Sequence, residues 1–308
     1  MTTPLLLLHT WGGDAGTWAP ALPYLRAVGR PVSAPDLPGH GVRAAEPFTL
    51  AGAVSAAAAA RDRLLPRTTQ EDVEGDEGVE EGGAGAGRPG GGVDVVGSGL
   101  GALVALALAL DRPSRVRSLT LAGFPPATGP AAAGRLAHTE AALRRDGTAL
   151  FARGYTDSTL LSTDPARRDL LYRSMAATRP DTLLNSLRAT LGWTGHAPPR
   201  PLGLPCLILR GAHDDRISAD AAATLAGQLG GTAAEVPGAG HLAYLDDPSA
   251  FAAALAAFHH TLEPAPPPEP PPPELLPMPP LPGPPPPGLD GGPGRDSRRV
   301  PGLSGSGA

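Results

Sequence analysis

The stretch that could do chemistry is Gly97-Ser98-Gly99-Leu100-Gly101. Before it, Val93 to Val96 is a short, mostly β-branched run of the kind that forms a buried strand. After it, Leu100 to Leu110 is apolar on all sides and rich in helix formers, which predicts a buried helix. A sharp turn between strand and helix is the setting of a nucleophile elbow, usually written Gly-x-Ser-x-Gly, with a reactive hydroxyl at its apex. Here the apex residue is Gly99, which has no side chain to react.

Moving the frame by one residue would put Ser98 at the apex. The elbow strains its central residue, and the positions two before and two after it must be small. Gly97 and Gly101 meet that demand around Gly99, whereas Val96 and Leu100 do not around Ser98. Gly99 is therefore placed at the apex. Ser98 is the fallback nucleophile and otherwise a turn residue bonded to nearby backbone. Gly97-x-Gly99-x-x-Ala102 also fits a dinucleotide-binding fingerprint. That pattern expects an acid about 20 residues later, at the end of the next strand. The next strand, Arg115 to Leu121, is followed by Ala122, Gly123 and Phe124, with no acid. No cofactor and no metal are expected.

The elements that must position this turn alternate between strand and helix. Pro4 to His9 opens a sheet, and Thr17 to Val28 repeats apolar residues at helical spacing (Trp18, Leu22, Leu25, Val28). Val32 to Ala34 is a short strand that leaves through the turn cluster Pro35-Asp36-Leu37-Pro38-Gly39-His40-Gly41. Thr49 caps an alanine-rich helix that stops at Pro66. After the Arg115–Leu121 strand, residues 124–200 carry helix patterns at Ala131–Arg145, Pro165–Ala177 and Asp181–Leu191. That is too long for a simple crossover and reads as a helical cap. Pro205 to Arg210 resumes the sheet, Ser218 caps a helix to Leu229, and Thr232 to Val236 is the last strand. Asp247-Pro248 then starts a final helix that runs to about His260. The organisation is a first half of the core at 1–123, the cap at 124–200, a second half of the core at 201–262, and a tail at 263–308.

Two segments differ from the rest. Residues 67–92 are acidic, then glycine-rich, with too few apolar residues to order themselves, so they are expected to form a disordered surface insert. The tail at 263–308 is rich in proline, favours polyproline II without a core, and could dock on proline-reading domains. Net charge is −5, so no nucleic-acid partner is expected. The one cysteine, Cys206, lies in an apolar run and reads as core, which leaves no disulfide framework. The N-terminus lacks a basic leader, and no apolar run suits a membrane span. A cytoplasmic protein with a small-molecule substrate or ligand, and no membrane partner, is the expectation.

Strand–helix alternation implies a parallel sheet, whose functional loops gather at the carboxyl ends of the strands. Four such loops stand out: His9-Thr10-Trp11-Gly12-Gly13, the glycine turn, Gly211-Ala212-His213-Asp214-Asp215, and Gly238-Ala239-Gly240-His241. Elbow, acid and histidine follow in the chain order of α/β-hydrolases. The chain resembles that superfamily, in its cap-bearing small-molecule branch. HTWGGDAGTW resembles the family's His-Gly-Trp opening, and APDLPGHG, DRPSRVRSLTLAG, LRGAHDD and VPGAGHLAYLDDPSAF resemble its later segments. The likeness covers roughly residues 4 to 260 without the acidic insert. It departs in two places: the family's first hairpin is missing, and the elbow lacks its serine.

The resemblance implies an α/β-hydrolase fold, a mostly parallel sheet flanked by helices with a helical cap. It makes Asp214 the acid and His241 the base, with Asp215 as the competitor acid and His213 a loop residue. Trp11 and Leu100 would supply the backbone N–H groups of an oxyanion hole. Thr10 stands where the family prefers glycine. Phe124, Tyr155 and Trp193 are candidate pocket walls. Without a hydroxyl at position 99 no acyl-enzyme forms there. His241 could still act as a general base on a small, largely apolar ester-, lactone- or ketone-like substrate. The alternatives are a ligand-binding pseudoenzyme and a serine hydrolase using Ser98. Gly99→Ser is expected to restore labelling by a serine-directed fluorophosphonate.

Overall fold

Four of the six strands are mainly aliphatic and buried along nearly their whole length, the pattern of a sheet covered on both sides. In the computed structural model, which describes residues 2–27, 29–65, 92–124, 130–192, 201–263 and 283, the six strands are β1 (Leu5–Leu8), β2 (Val32–Ser33), β3 (Val93–Ser98), β4 (Val116–Ala122), β5 (Cys206–Gly211) and β6 (Thr232–Val236). Apart from Gly92, Glu263 and Gly283, the acidic insert and the proline-rich tail lie outside the described residues, as does Trp193. The strand order is β2-β1-β3-β4-β5-β6, and every neighbouring pair is parallel. The register sets Leu8 beside Gly97, Ser98 beside Ala122, and Gly211 beside Val236. The loops after β1, β3, β4, β5 and β6 therefore emerge along one edge.

Side chains alternate between the two faces, as the pleat requires. Leu6, Leu8, Val95, Leu119, Leu121 and Ile208 pack on one side with α2 (Leu50–Leu64), α3 (Leu100–Asp111) and α7 (Ala219–Leu229). Leu5, Leu7, Val96, Leu207 and Leu209 pack on the other with Trp18, Tyr244 and Phe251, the last on α9 (Pro248–His260). Thr49, Ser218 and Asp247 cap α2, α7 and α9 by accepting from backbone N–H groups.

The segment Thr17–Val28 is not one amphipathic helix. A 3₁₀ turn at Ala15–Trp18 is followed by the five-residue α1 (Leu22–Arg26). Pro20 and Pro23 have no N–H to donate to a preceding turn, so a continuous helix cannot pass through them; Pro23 is tolerated in the first turn of α1. The cap consists of α4 (Pro130–Thr159), α5 (Pro165–Ala177) and α6 (Pro180–Gly192). Helix α4 runs past the expected stop near Arg145, because the chain bends at Gly147 (φ 70°, ψ 171°) and then resumes helix. A single helical turn, α8 (Ala243–Asp246), follows the His241 loop.

One carboxylate sits inside the sheet. Asp94 on β3 has a fully buried side chain and pairs with Arg30 (Nη2, 2.5 Å) and Arg117 (Nε, 2.8 Å), while Ser118 Oγ donates to it at 2.6 Å. This cluster is at the amino end of β3, away from the elbow, and ties β3, β4 and the β2 approach together.

Candidate active site

The elbow forms where the glycine spacing places it. Gly99 adopts φ 53° and ψ −108°, outside the conformations that L side chains adopt comfortably. A Cβ on Gly97 would collide with the Gly101 carbonyl, and one on Gly101 with the Leu8 carbonyl. The flanking positions must therefore be small, and Gly99 is the apex. Ser98 is the last residue of β3; its Oγ is buried and bonds to nothing among the described residues, His241 included.

The loops after β5 and β6 bring Asp214 to His241. Nδ1 of His241 lies 3.0 Å from Oδ2 of Asp214 and 3.2 Å from Oδ1. The carboxylate partner assigns the proton to Nδ1, so Nε2 is the free basic nitrogen. Asp214 also accepts from the backbone N–H groups of Arg216 (2.9 Å) and Ile217 (3.3 Å), which fix its orientation. His213 and Asp215 are exposed, and neither makes a hydrogen bond in this loop through its side chain. Burial pushes the His241 imidazole below its ordinary range, against the pull of Asp214, and the positive charges of Arg216 and Arg135 act in the same direction as burial. Burial works to raise the Asp214 carboxyl, but the His241 hydrogen bond and the two amides hold it below the usual carboxylate range. At neutral pH the pair is a carboxylate and a neutral imidazole.

Neighbouring contacts set the position of His241. A Cβ on Gly123, at the end of β4, would lie 2.7 Å from the His241 carbonyl oxygen, so only glycine leaves room for that loop. Asp246 accepts from Gly240 N (2.9 Å), Leu161 N (2.8 Å) and Ser162 N (2.8 Å), which ties the histidine loop to the α4–α5 connection of the cap.

The loop after β1 faces the elbow. His9 anchors it: its Nε2 accepts from Leu37 N (3.0 Å) and its Nδ1 lies 3.0 Å from the Thr10 carbonyl. Trp11 Nε1 donates to the Leu183 carbonyl (2.9 Å), and its ring packs edge-on against Tyr155 and Phe151, so core and cap are joined at this residue. The backbone N–H groups of Trp11 and Leu100 have no acceptor among the described residues. A Cβ built on Gly99 points between these parts: it would lie 3.8 Å from Trp11 N and only 2.8 Å from Thr10 Oγ1. A hydroxyl on the facing loop thus borders the space that the apex side chain would take.

Gly99, Leu100, Thr10, Trp11 and His241 share a small cavity with Arg135, Tyr155, Leu187, Thr190 and Leu191 of the cap. Its volume is about 20 Å³, room for roughly one water molecule. Tyr155 is a wall, as the sequence suggested, whereas Phe124 is buried in the core beyond β4. Arg135 was not anticipated. Local sequence does not set it apart: Arg144 and Arg173 have an acid one turn away, but Arg145 and Arg188 have none, just as Arg135 has none. A wider surface groove of about 690 Å³ lies along α2, lined in part by Arg43, Glu46 and Arg63. Arg43 and Glu46 pair with each other there, and no histidine accompanies Ser55 in that lining, so the smaller cavity is the candidate site. Among the described residues no helix is long and apolar enough to cross a membrane, and no metal-binding cluster of His, Cys, Asp and Glu occurs.

Comparison with known proteins bears on the family and the fold. The chain is 32% identical over 219 residues to the pimeloyl-[acyl-carrier protein] methyl ester esterase of Aromatoleum aromaticum, covering 68% of this chain and 74% of that one. It is 30% identical over 268 residues to the esterase of the same name from Edwardsiella ictaluri, covering 82% and 92%. In fold it is similar to a thermophilic esterase from Thermogutta terrifontis (TM-score 0.65, 18% identity, 85% of this chain and 91% of that one). It is also similar to the enol-lactonase of Burkholderia xenovorans (TM-score 0.64, 16% identity, 84% and 92%). Residues 5–254 match the sequence model of the alpha/beta hydrolase family. With its parallel sheet, its inserted helical cap and that match over most of its length, the chain belongs to the alpha/beta hydrolase family.

Proposed function

We propose that the protein hydrolyses a small, largely apolar ester or lactone by direct attack of water, with His241 and Asp214 as the general-base pair and no covalent serine intermediate. The observation that carries this reading is the His241–Asp214 pair, joined at 3.0 Å, on a water-sized cavity whose floor is Gly99 rather than a serine. A water in that cavity takes the place of the missing hydroxyl. As its oxygen attacks the substrate carbonyl carbon, His241 Nε2 accepts one of its protons and Asp214 stabilises the imidazolium. The carbonyl oxygen becomes an oxyanion against the N–H groups of Trp11 and Leu100. Collapse breaks the bond to the alkoxy oxygen, which takes that proton from His241 and leaves as the alcohol. The depressed basicity of His241 suits this role, because the imidazole is neutral and ready to accept a proton at pH 7.

The names of the relatives support an ester as the bond attacked. The buried, unbonded Ser98 Oγ argues against the alternative in which that serine is the nucleophile. The test is a panel of small esters and lactones followed by mass spectrometry of the protein during turnover. Turnover without an acyl adduct, without reaction with a fluorophosphonate, and reduced about a hundred- to ten-thousand-fold in His241→Ala, is the expected result. An acyl adduct that disappears in Ser98→Ala would return the mechanism to an ordinary serine hydrolase. Ligand binding that persists in His241→Ala, with no turnover in the wild type, would make the protein a binding pseudoenzyme.

A further inference from the structure

Arg135 is the one charged cap residue on the wall of the cavity, and it is only partly exposed. It makes no hydrogen bond and no ion pair among the described residues. A half-buried guanidinium without an acceptor is costly, and such groups are normally paired. Other buried or half-buried arginines follow that rule: those at 30, 61, 117, 168 and 210 each have a carboxylate partner. Arg216 stands beside the same wall and also lacks an acid. Its guanidinium lies 5.2 Å above the Tyr155 ring centre and donates to Tyr155 Oη (3.3 Å) and Thr159 Oγ1 (2.6 Å). The two guanidinium charges are close enough to repel each other, and burial and that repulsion both lower the Arg135 pKa. The nearest acids offset these charges only in part: Asp214 is engaged by His241 and two amides, and Asp215 faces solvent.

Resting on the reading of this cavity as the place of hydrolysis, we propose that its cap wall is an anion subsite in which Arg135 binds a carboxylate carried by the substrate. The substrate class is then a half-ester, or a lactone acid, with an apolar chain between the scissile carbonyl at Gly99 and a free carboxylate at Arg135. Trp11, Leu187 and Leu191 are apolar members of the same lining, and the cap helices must part to admit such a chain, since the closed cavity has room for about one water. A planar guanidinium binds a carboxylate through two parallel hydrogen bonds, a match that lysine does not reproduce. Asp214 and Asp215 hold the local charge excess down, so a monoanion fits better than a phosphate dianion.

The experiment compares the p-nitrophenyl half-ester of glutaric acid with p-nitrophenyl pentanoate, a neutral ester of the same chain length. The half-ester is expected to have the higher kcat/KM in the wild type. Arg135→Gln should lower the ratio of the two specificity constants by about ten- to a hundred-fold, and Arg135→Lys by less. Calorimetric titration with glutarate and with inorganic phosphate gives a readout that needs no turnover. Glutarate should bind the wild type more tightly than phosphate does, and Arg135→Gln should lose that binding with an unchanged circular dichroism spectrum. Equal ratios in wild type and Arg135→Gln, or tighter binding of phosphate, would overturn the carboxylate subsite. Failure of the hydrolytic reading has a different signature: glutarate binds through Arg135 but neither ester is turned over.

Discussion

Restoring serine at the elbow tests whether the site was rebuilt as well as stripped. In Gly99→Ser two costs arise. Residue 99 has φ 53° and ψ −108°, a conformation that costs an L residue about 1–3 kcal/mol. The new Cβ also lies 2.8 Å from Thr10 Oγ1, about 0.7 Å inside the best non-bonded separation. Overpacking of that kind costs roughly 1–3 kcal/mol, so the single variant should lose about 2–6 kcal/mol of stability in denaturant unfolding. Thr10→Ala removes the second cost but not the first. A double-mutant cycle over Thr10→Ala and Gly99→Ser should therefore show a favourable coupling of about 1–3 kcal/mol. Reactivity should follow packing. The new hydroxyl would be crowded at its base by Thr10, so fluorophosphonate labelling is expected to be slow in Gly99→Ser and fast in the double variant. This modifies the expectation that serine alone restores the nucleophile. A coupling within about 0.5 kcal/mol of zero, or equal labelling rates in the single and double variants, would refute the reasoning, because additivity is what independent sites show.

Three further outcomes follow from the same contacts. Asp214→Asn offers His241 Nδ1 an amide in place of a carboxylate and removes the preference for the Nδ1–H tautomer, so turnover should fall by about a hundred- to ten-thousand-fold with the folding temperature little changed. Asp94→Asn leaves Arg30 and Arg117 facing a neutral group inside the sheet, and unfolding in urea should show a loss of about 3–5 kcal/mol. His40 is held neutral by burial, with His9 adding to the effect, and its pKa is lowered to about 3. The unfolded chain then binds more protons than the folded one between pH 6.5 and about 3, so stability is whole above 6.5 and declines as pH falls. At pH 5 His40 alone should cost about 2 kcal/mol relative to pH 7, and His40→Gln should flatten that part of the stability profile.

Much of the fold is legible in the sequence because it depends on local patterns. The short β-branched and leucine runs, the caps at Thr49, Ser218 and Asp247, and the glycines at 97, 99 and 101 each fix an element from neighbouring residues. The segment from Thr17 to Val28 misleads because apolar spacing there favours a helix while two prolines forbid one, and the backbone constraint prevails over the pattern. Gly147 misleads in the other direction, since a single non-helical residue bends α4 without ending it. The site is legible only in part, for a different reason. His241, Asp214 and the apex glycine lie in separate motifs that each carry a signal, but the wall at Arg135 comes from a helix whose local sequence shows only an arginine without an acid.

The contact between Thr10 and Gly99 shows why reading along the chain stops short here. Each position departs from the family pattern on its own: a side chain appears where glycine is preferred, and a glycine where serine is required. Read separately, they are a stiffened loop and a lost nucleophile. In space they are one change, because the Thr10 hydroxyl lies 2.8 Å from where the Cβ of residue 99 would be. Only the parallel register of β1 and β3, with Leu8 beside Gly97, brings the two loops together. Filling one side of that contact removes the space on the other, so a return of serine at 99 is disfavoured while Thr10 remains. If the two positions form one contact, the cycle over them shows a coupling energy; if they are independent, their effects add.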